Sequence, residues 1–275
     1  PYDPEMRIDS GVEYHWDHAL YNGHYYMYFG IVPALLVFAP YQAITGHALT
    51  TYHATQLFIG LYIVALFMLT RKIQKRFFPR LPLGTYLLLN VALAVSSSWF
   101  ATAEPALYCT AISAALAFET WSLNLYASAL LKSEIDSMKR YATLSFGALA
   151  GALAFGCRPP IALASLVMLI PLALALIREA DARPWDVAKE ALCIAAPFLL
   201  VGLCLMAYNY VRFESFFEFG QTYQLTAADQ TNFSLLSNGM GPVEVLSNFA
   251  AYYLWPGFTY SGADEPNPFG GMFTN

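Results

Sequence analysis

Charge is what this chain has least of. Only 12% of its 275 residues are charged, while 57% are hydrophobic and 16% aromatic; a soluble globular domain carries about 25% charged residues. The clustered basic surface of a nucleic-acid binder is missing too, so a nucleic-acid partner is not expected. The four cysteines (Cys109, Cys157, Cys193, Cys204) fall in or at the ends of apolar blocks without CxxC spacing. There cysteine behaves as a small buried apolar residue, and neither a disulfide framework nor a zinc site is expected. No internal repeat or low-complexity tract stands out. No signal peptide precedes the first loop, the chain starts at Pro1 rather than methionine, and it stops in the turn-rich stretch Gly270 to Asn275 with no closing helix. We therefore expect a fragment of a longer protein.

What is present is apolar and comes in long blocks, the mark of a polytopic membrane protein. Six spans are expected: 52–70, 83–103, 106–131, 142–156, 161–177 and 191–210. The fourth is rich in Gly and Ala (Gly147, Gly151), which permit close helix packing. The predicted fold is an all-α transmembrane helical bundle of about six spans with an external juxtamembrane helix and loops. Its regions are an extracytoplasmic loop at 1–51, the bundle at 52–210 and an extracytoplasmic tail at 211–275.

Basic residues set the orientation. All but three of the 14 lysines and arginines lie in the loops 71–80, 132–140 and 178–190; the exceptions are Arg7, Arg158 and Arg212. By the positive-inside rule those three loops are cytoplasmic. The link at Glu104-Pro105, the link at Arg158-Pro159-Pro160, and residues 1–51 and 211–275 are then extracytoplasmic.

The stretch from Tyr14 to Gly46 needs separate treatment. Asn22-Gly23 between Tyr-rich arms is a hairpin signal. Residues 31–44 form a charge-free apolar run broken by Pro33 and Pro40. A span needs about 20 residues, and a run of 10 to 14 more often marks an interfacial segment. We expect 31–44 to be a juxtamembrane helix beneath an external aromatic ribbon.

Several residues carry chemistry. Arg158 sits between two apolar blocks; Pro159 forces it toward extended backbone, and Pro160 suits the first turn of the next helix. That arrangement predicts a guanidinium at a helix N-terminus, an anion site facing lipid phosphate; the structural alternative is a headgroup anchor or helix cap. Glu104 is a carboxylate at an external helix link, or else a solvated turn residue. Glu119 lies midway along the third span, where an ionisable group costs about 3 kcal/mol. It shares a helix face with Ser122 and Tyr126, and a hydrogen-bonded packing role is favoured over an ion path. Asp17 with His15, His18 and His24 could form a metal cluster, but no HxxxH spacing appears, so no metal site is assigned and an acceptor-contacting or hairpin-stabilising role is preferred. No cofactor is identified; a divalent metal has no supporting ligand pattern. Tyr14, Tyr21, Tyr25, Tyr26 and Tyr28 form either an interfacial aromatic belt or a sugar-stacking platform. Asn232-Phe233-Ser234 matches a glycosylation sequon, which is close to chance.

The layout resembles the polytopic GT-C glycosyltransferases, in the branch of the protein O-mannosyltransferases and lipid A aminoarabinose transferases. The likeness is carried by a large first external loop ending in a Pro-containing apolar segment and Gly46, and by a span closing in a basic cluster (Tyr52 to Arg76). A helix ending in small polar and aromatic residues before an acid (Ser96 to Glu104) and a Gly/Ala-rich helix ending in Arg158-Pro159 add to it. So do the strings Trp16-Asp17, Tyr21-Asn22-Gly23, Tyr208 to Phe213 and Phe217 to Gly220, in the manner of uncharacterised bacterial members. The pattern covers most of residues 14–225.

The resemblance implies transfer of a sugar from a polyprenyl-phosphate donor to a glycan, lipid or protein acceptor, on the external face of a bacterial cytoplasmic membrane. Glu104 and Asp17 are then the catalytic carboxylate candidates, Arg158 the donor-phosphate ligand, and Tyr25, Tyr26 and Tyr28 substrate contacts. The family's first catalytic acid is expected upstream of Pro1. Two alternatives stay open: a multi-pass transporter using Glu119 and Asn124, and a non-catalytic membrane scaffold. No paired broken helices mark a midplane transport site.

Overall fold

A computed structural model describes residues 1–27, 30–131, 136–179, 183–226 and 229–231, with only the backbone of 163–168 included. Tyr28, the Asn232 sequon and most of the predicted tail lie outside the described residues. The chain divides into two compact units, Pro1–Leu20 with residues from Gln221 onward, and Tyr21–Gly220.

The first unit starts with helix α1 (Pro4–Ser10). Asp3 caps it, its carboxylate accepting from the amides of Glu5 and Met6; Pro4 occupies the first turn and Gly11 closes the helix at φ 62°. Arg7 is buried and donates to the carbonyls of Pro1, Tyr2 and Thr226. Residues 17–20 pair with 223–225: Asp17 N–H donates to Leu225 O at 3.0 Å, Leu20 N–H to Tyr223 O at 2.9 Å and Leu225 N–H to His18 O at 2.9 Å. The two ends of the described chain are thus joined by backbone hydrogen bonds.

The second unit opens on the predicted hairpin, whose strands are β1 (Ala19–Tyr21) and β2 (His24–Tyr26); the boundary between the units falls within β1. Asn22 at φ 48° and Gly23 at φ 78° supply the two left-handed residues that a tight hairpin turn with the native strand twist requires. Next comes a π-helical turn (Ala34–Phe38) running into α2 (Ala39–Thr45). Pro40 has no N–H to return to the preceding turn, consistent with the widened helix there. The combined segment Ala34–Thr45 has 12 residues. At 1.5 Å per residue it is about 18 Å long, well short of a ~30 Å hydrocarbon core.

Six helices follow: α3 (Thr51–Phe77), α4 (Leu83–Ala103), α5 (Leu107–Leu131), α6 (Ser137–Cys157), α7 (Leu163–Glu179) and α8 (Pro184–Phe213). Each predicted apolar block corresponds to one of them. Several helices outrun their apolar blocks, because Lys and Arg are good helix formers whose long stems let the charge reach water. Among the described residues, three helices, α3, α4 and α8, are long and apolar enough to cross a membrane.

The bundle is built on α5, which packs along α3 on one side and α6 on the other. α4 lies against α3, and α8 against α6. Phe58, Tyr62, Ala114, Ala115, Ala117 and Cys157 form one core cluster, joined by Val32 from the segment ahead of the π turn. Tyr126, Ala129, Leu144, Ala148 and Leu172 form a second. Alanines between these larger side chains let the helix backbones approach closely, and a Cβ on Gly147 would lie 2.9 Å from the Tyr126 ring. α8 is the opposite case: almost none of its apolar stretch is buried.

Candidate functional site

Side-chain contacts define two ends of the helical unit. At one, the start of α3 meets the start of α5 through Thr55 Oγ1 and Thr110 Oγ1 at 2.8 Å, and Ile59, Ala101 and Cys109 bring in the end of α4. The end of α6 joins through Cys157, and α8 approaches through Leu205, beside Gly156. Glu104, Arg158, Arg212 and the hairpin arm with Tyr25 and Tyr26 all belong to this end. The described residues of the basic loops, 71–80, 136–140 and 183–190, occupy the other.

Glu104 caps α4. Its amide donates to Phe100 O at 3.2 Å, its carbonyl accepts from the Ala106 amide and the Cys109 thiol, and the residue is exposed. Arg158 has the extended backbone that its following proline dictates (φ −155°, ψ 100°). The neighbouring helix, however, starts at Leu163, not at Pro160, because residues 159–162 form a turn closed by Ile161 N–H donating to Arg158 O at 3.1 Å. The expected guanidinium at a helix N-terminus is therefore corrected: Arg158 is the C-cap of α6, where its charge complements the negative end of that helix. Beside it, Gly30 N–H donates to Cys157 O at 3.2 Å. A Cβ on Gly30 would fall 1.9 Å from Gly156 O, so the chain leaving the hairpin lies directly on the backbone of α6.

The tyrosines divide. Tyr25 is 40% exposed, whereas Tyr26 packs edge-on against Phe213 at 5.4 Å. Asp17 belongs to the first unit; it sits at φ 61°, a conformation Asp tolerates, and its carboxylate accepts from Gln224 Nε2. The His15 and His18 rings are 5.5 Å apart, and His18 Nδ1 is 2.8 Å from Trp16 O. His24 lies in the second unit, and no group of three metal-capable side chains converges among the described residues. Glu119 is 4% exposed in the middle of α5. Its face also carries Ser122 and Tyr126, and Tyr126 abuts α6 at Gly147.

A cleft opens between α3, α4 and α5 within about two turns of Glu104, lined by Tyr62, Ser97, Ser98, Cys109, Ser113 and Leu116 among others. Its volume of about 40 Å³ admits a few water molecules and no sugar ring. Tyr62 Oη and Ser97 Oγ are hydrogen-bonded at 2.7 Å.

Arg212 was not singled out by sequence reasoning, although an arginine inside Tyr208 to Phe213 at the end of an apolar helix is a visible signal. It is 7% exposed. It donates from Nη1 to Met27 O at 3.0 Å and from Nη2 to Asn209 Oδ1 at 2.8 Å, and its guanidinium lies 3.9 Å from the Tyr208 ring centroid. It ties the hairpin exit to the end of α8.

The basic end is fastened differently. Lys72 Nζ of α3 donates to Asn124 O at 2.7 Å and also to Asn124 Oδ1 and Ser128 Oγ of α5. Thr70 donates to Asn90 Oδ1 at 2.6 Å, and Tyr86 to Phe67 O at 2.8 Å. Glu190 is 1% exposed and lies 3.0 Å from Arg140 Nε and 3.3 Å from Arg183 Nη2. By sequence Glu190 reads as a loop charge; the N-terminal extension of α8 buries it against α6. No protein-family model, curated protein or solved structure matches the chain.

Proposed function

We propose that the chain is a GT-C-like membrane glycosyltransferase. It transfers a sugar from a polyprenyl-phosphate donor to an acceptor hydroxyl on the extracytoplasmic face of a bacterial cytoplasmic membrane. All six helices α3 to α8 cross the bilayer in this reading, with the basic loops cytoplasmic. The observation that carries it is the placement of Glu104, Arg158 and the Tyr25 arm at the one end of the bundle away from those loops. The acceptor oxygen attacks the anomeric carbon as the bond to the phosphate oxygen breaks. A carboxylate takes the hydroxyl proton, Glu104 being the candidate in the helical unit. Arg158 stabilises the charge left on the polyprenyl phosphate, and Tyr25 offers a face to the sugar. Asp17 contributes by shaping the loop ahead of the hairpin.

The test is a transfer assay with labelled polyprenyl-phosphate sugars on the full-length protein in liposomes. Transfer by the parent and its loss in Arg158→Ala at unchanged protein level is the expected result; retained transfer in that variant overturns the assignment of Arg158. A second reading, transport, draws on the burial of Glu119 at the centre of α5. Its signature is solute or proton flux that disappears in Glu119→Gln, with no glycosyl product.

A further inference from the structure

We propose that the end of α8 and the loop after it, Tyr210 to Phe219, form an anchor seated in the lipid–water interface of the bilayer. Five apolar side chains point outward there: Tyr210 is 50% exposed, Val211 80%, Phe216 51%, Phe217 75% and Phe219 40%. The loop that presents them is held in place. Glu214 ends α8 in the left-handed region at φ 53°, its amide donating to Tyr210 O at 2.8 Å. Asn209 Nδ2 donates to Phe216 O at 3.3 Å, and the Gly220 amide donates to Glu218 Oε1 at 2.6 Å. The rings of Tyr210 and Phe216 stack at 4.8 Å with an interplanar angle of 19°. A fixed loop that turns this much aromatic surface outward marks a contact surface.

The occupant follows from helix length and from what adjoins the patch. α8 has 30 residues, about 45 Å at 1.5 Å per residue; a hydrocarbon core accounts for roughly 30 Å, or about 20 residues. Arg183 at the N-cap and Asp186 and Lys189 in the first two turns mark the other interface, next to Trp185, which is 80% exposed. Counting from Ala191 brings the helix to the opposite interface at Tyr210, where Tyr, Trp and Phe partition favourably. The patch is also continuous with the apolar face of α8 that exposes Leu199, Leu200 and Leu203. The Glu214 carboxyl is exposed within the same loop, which fixes a shallow seat at headgroup depth. The anchor rests on the membrane reading alone and not on transferase chemistry.

Spin labels test it in the full chain, reconstituted in phosphatidylethanolamine–phosphatidylglycerol vesicles. Cys193 and Cys204 are first replaced by alanine, and labels are placed singly through Phe217→Cys, Leu200→Cys and Asp9→Cys. Helical circular dichroism confirms the fold of each variant. The expected result is a Phe217→Cys label that collides with oxygen more than with a water-soluble nickel complex, its nickel collisions severalfold below those of Asp9→Cys, at a depth shallower than Leu200→Cys. A Phe217→Cys label as open to nickel as Asp9→Cys, beside a lipid-exposed Leu200→Cys, overturns the anchor and leaves the membrane reading intact. A label shielded from both reagents also overturns it, since protein then covers the patch. Aqueous exposure at Leu200→Cys sinks the membrane reading itself.

Discussion

The two ends of the helical unit are built from different materials. The basic end is fastened by long polar side chains reaching across helices: Lys72 to Asn124 and Ser128, Thr70 to Asn90, and Glu190 between Arg140 and Arg183. The opposite end relies more on close backbone approach and small groups, with Gly30 on Gly156, Thr55 on Thr110, and Val32 inserted beside Cys157, alongside the polar tie of Arg212 to Met27 O. It also carries the exposed Glu104 and Tyr25 and the outward aromatics after α8. A cross-linked end resists rearrangement, whereas the end packed through glycine and alanine leaves Glu104 exposed at its surface. Charge that is not needed for packing is where substrate chemistry belongs.

This contrast predicts that one substitution at each end will fail in opposite ways. Glu104→Gln removes a base and leaves packing untouched. On the transferase reading it lowers kcat by about a thousandfold with an unchanged Tm; a full-rate variant removes Glu104 from the chemistry. Glu190→Ala leaves Arg140 and Arg183 facing a buried site without their counter-charge. Breaking a buried pair costs about 3 kcal/mol, less to the extent that Arg183, with its side chain 38% exposed, turns to water. The expected outcome is a lower midpoint in SDS or thermal unfolding, with transfer per folded molecule near the parent's. A Glu190→Ala protein as stable as the parent would show that the basic end is not cross-linked by this triad.

Local features were legible in the sequence. Asn22-Gly23 dictated the turn because few residues accept positive φ at two successive positions. Pro159 dictated the extended Arg158, and each apolar block became a helix. What escaped notice depends on contacts distant in sequence. Pairing of residues 17–20 with 223–225 leaves no mark on either segment alone. Lys72 reads as one more member of a basic cluster, and only its register on α3 aims it at α5. Arg212 reads as a lone external base until Met27 and Tyr208 are brought to it. The start of α7 was misjudged because a proline is equally at home in a turn and in the first turn of a helix, and the turn at 159–162 prevailed.

The glycine contact offers a sharper test of the less fastened end. Gly30→Ala puts a methyl 1.9 Å from a carbonyl oxygen that belongs to the helix backbone, so the hairpin exit must lift off α6. Overpacking of this kind costs about 1 to 3 kcal/mol. The expected readouts are a modest fall in unfolding midpoint and faster hydrogen exchange at residues 24–32, with the basic end unchanged. Equal exchange gains at residues 70–75 would mean that the two ends are mechanically coupled.

The smallest effect is expected at the Thr55–Thr110 pair. Both residues are buried, and their hydroxyls meet at 2.8 Å between α3 and α5. Thr110→Val keeps the shape and removes one partner. On the six-span reading proposed above this bond joins two membrane helices, where such bonds contribute about 0.6 kcal/mol on average, because the unfolded chain in lipid also finds partners. The paired variant Thr55→Val with Thr110→Val leaves no orphaned hydroxyl and should recover part of the loss. A double-variant cycle on SDS unfolding measures the coupling. A coupling of about 0.6 kcal/mol keeps the opposite end as one held by packing; a coupling of about 3 kcal/mol, of the size expected for the buried triad, would erase the distinction between the two ends.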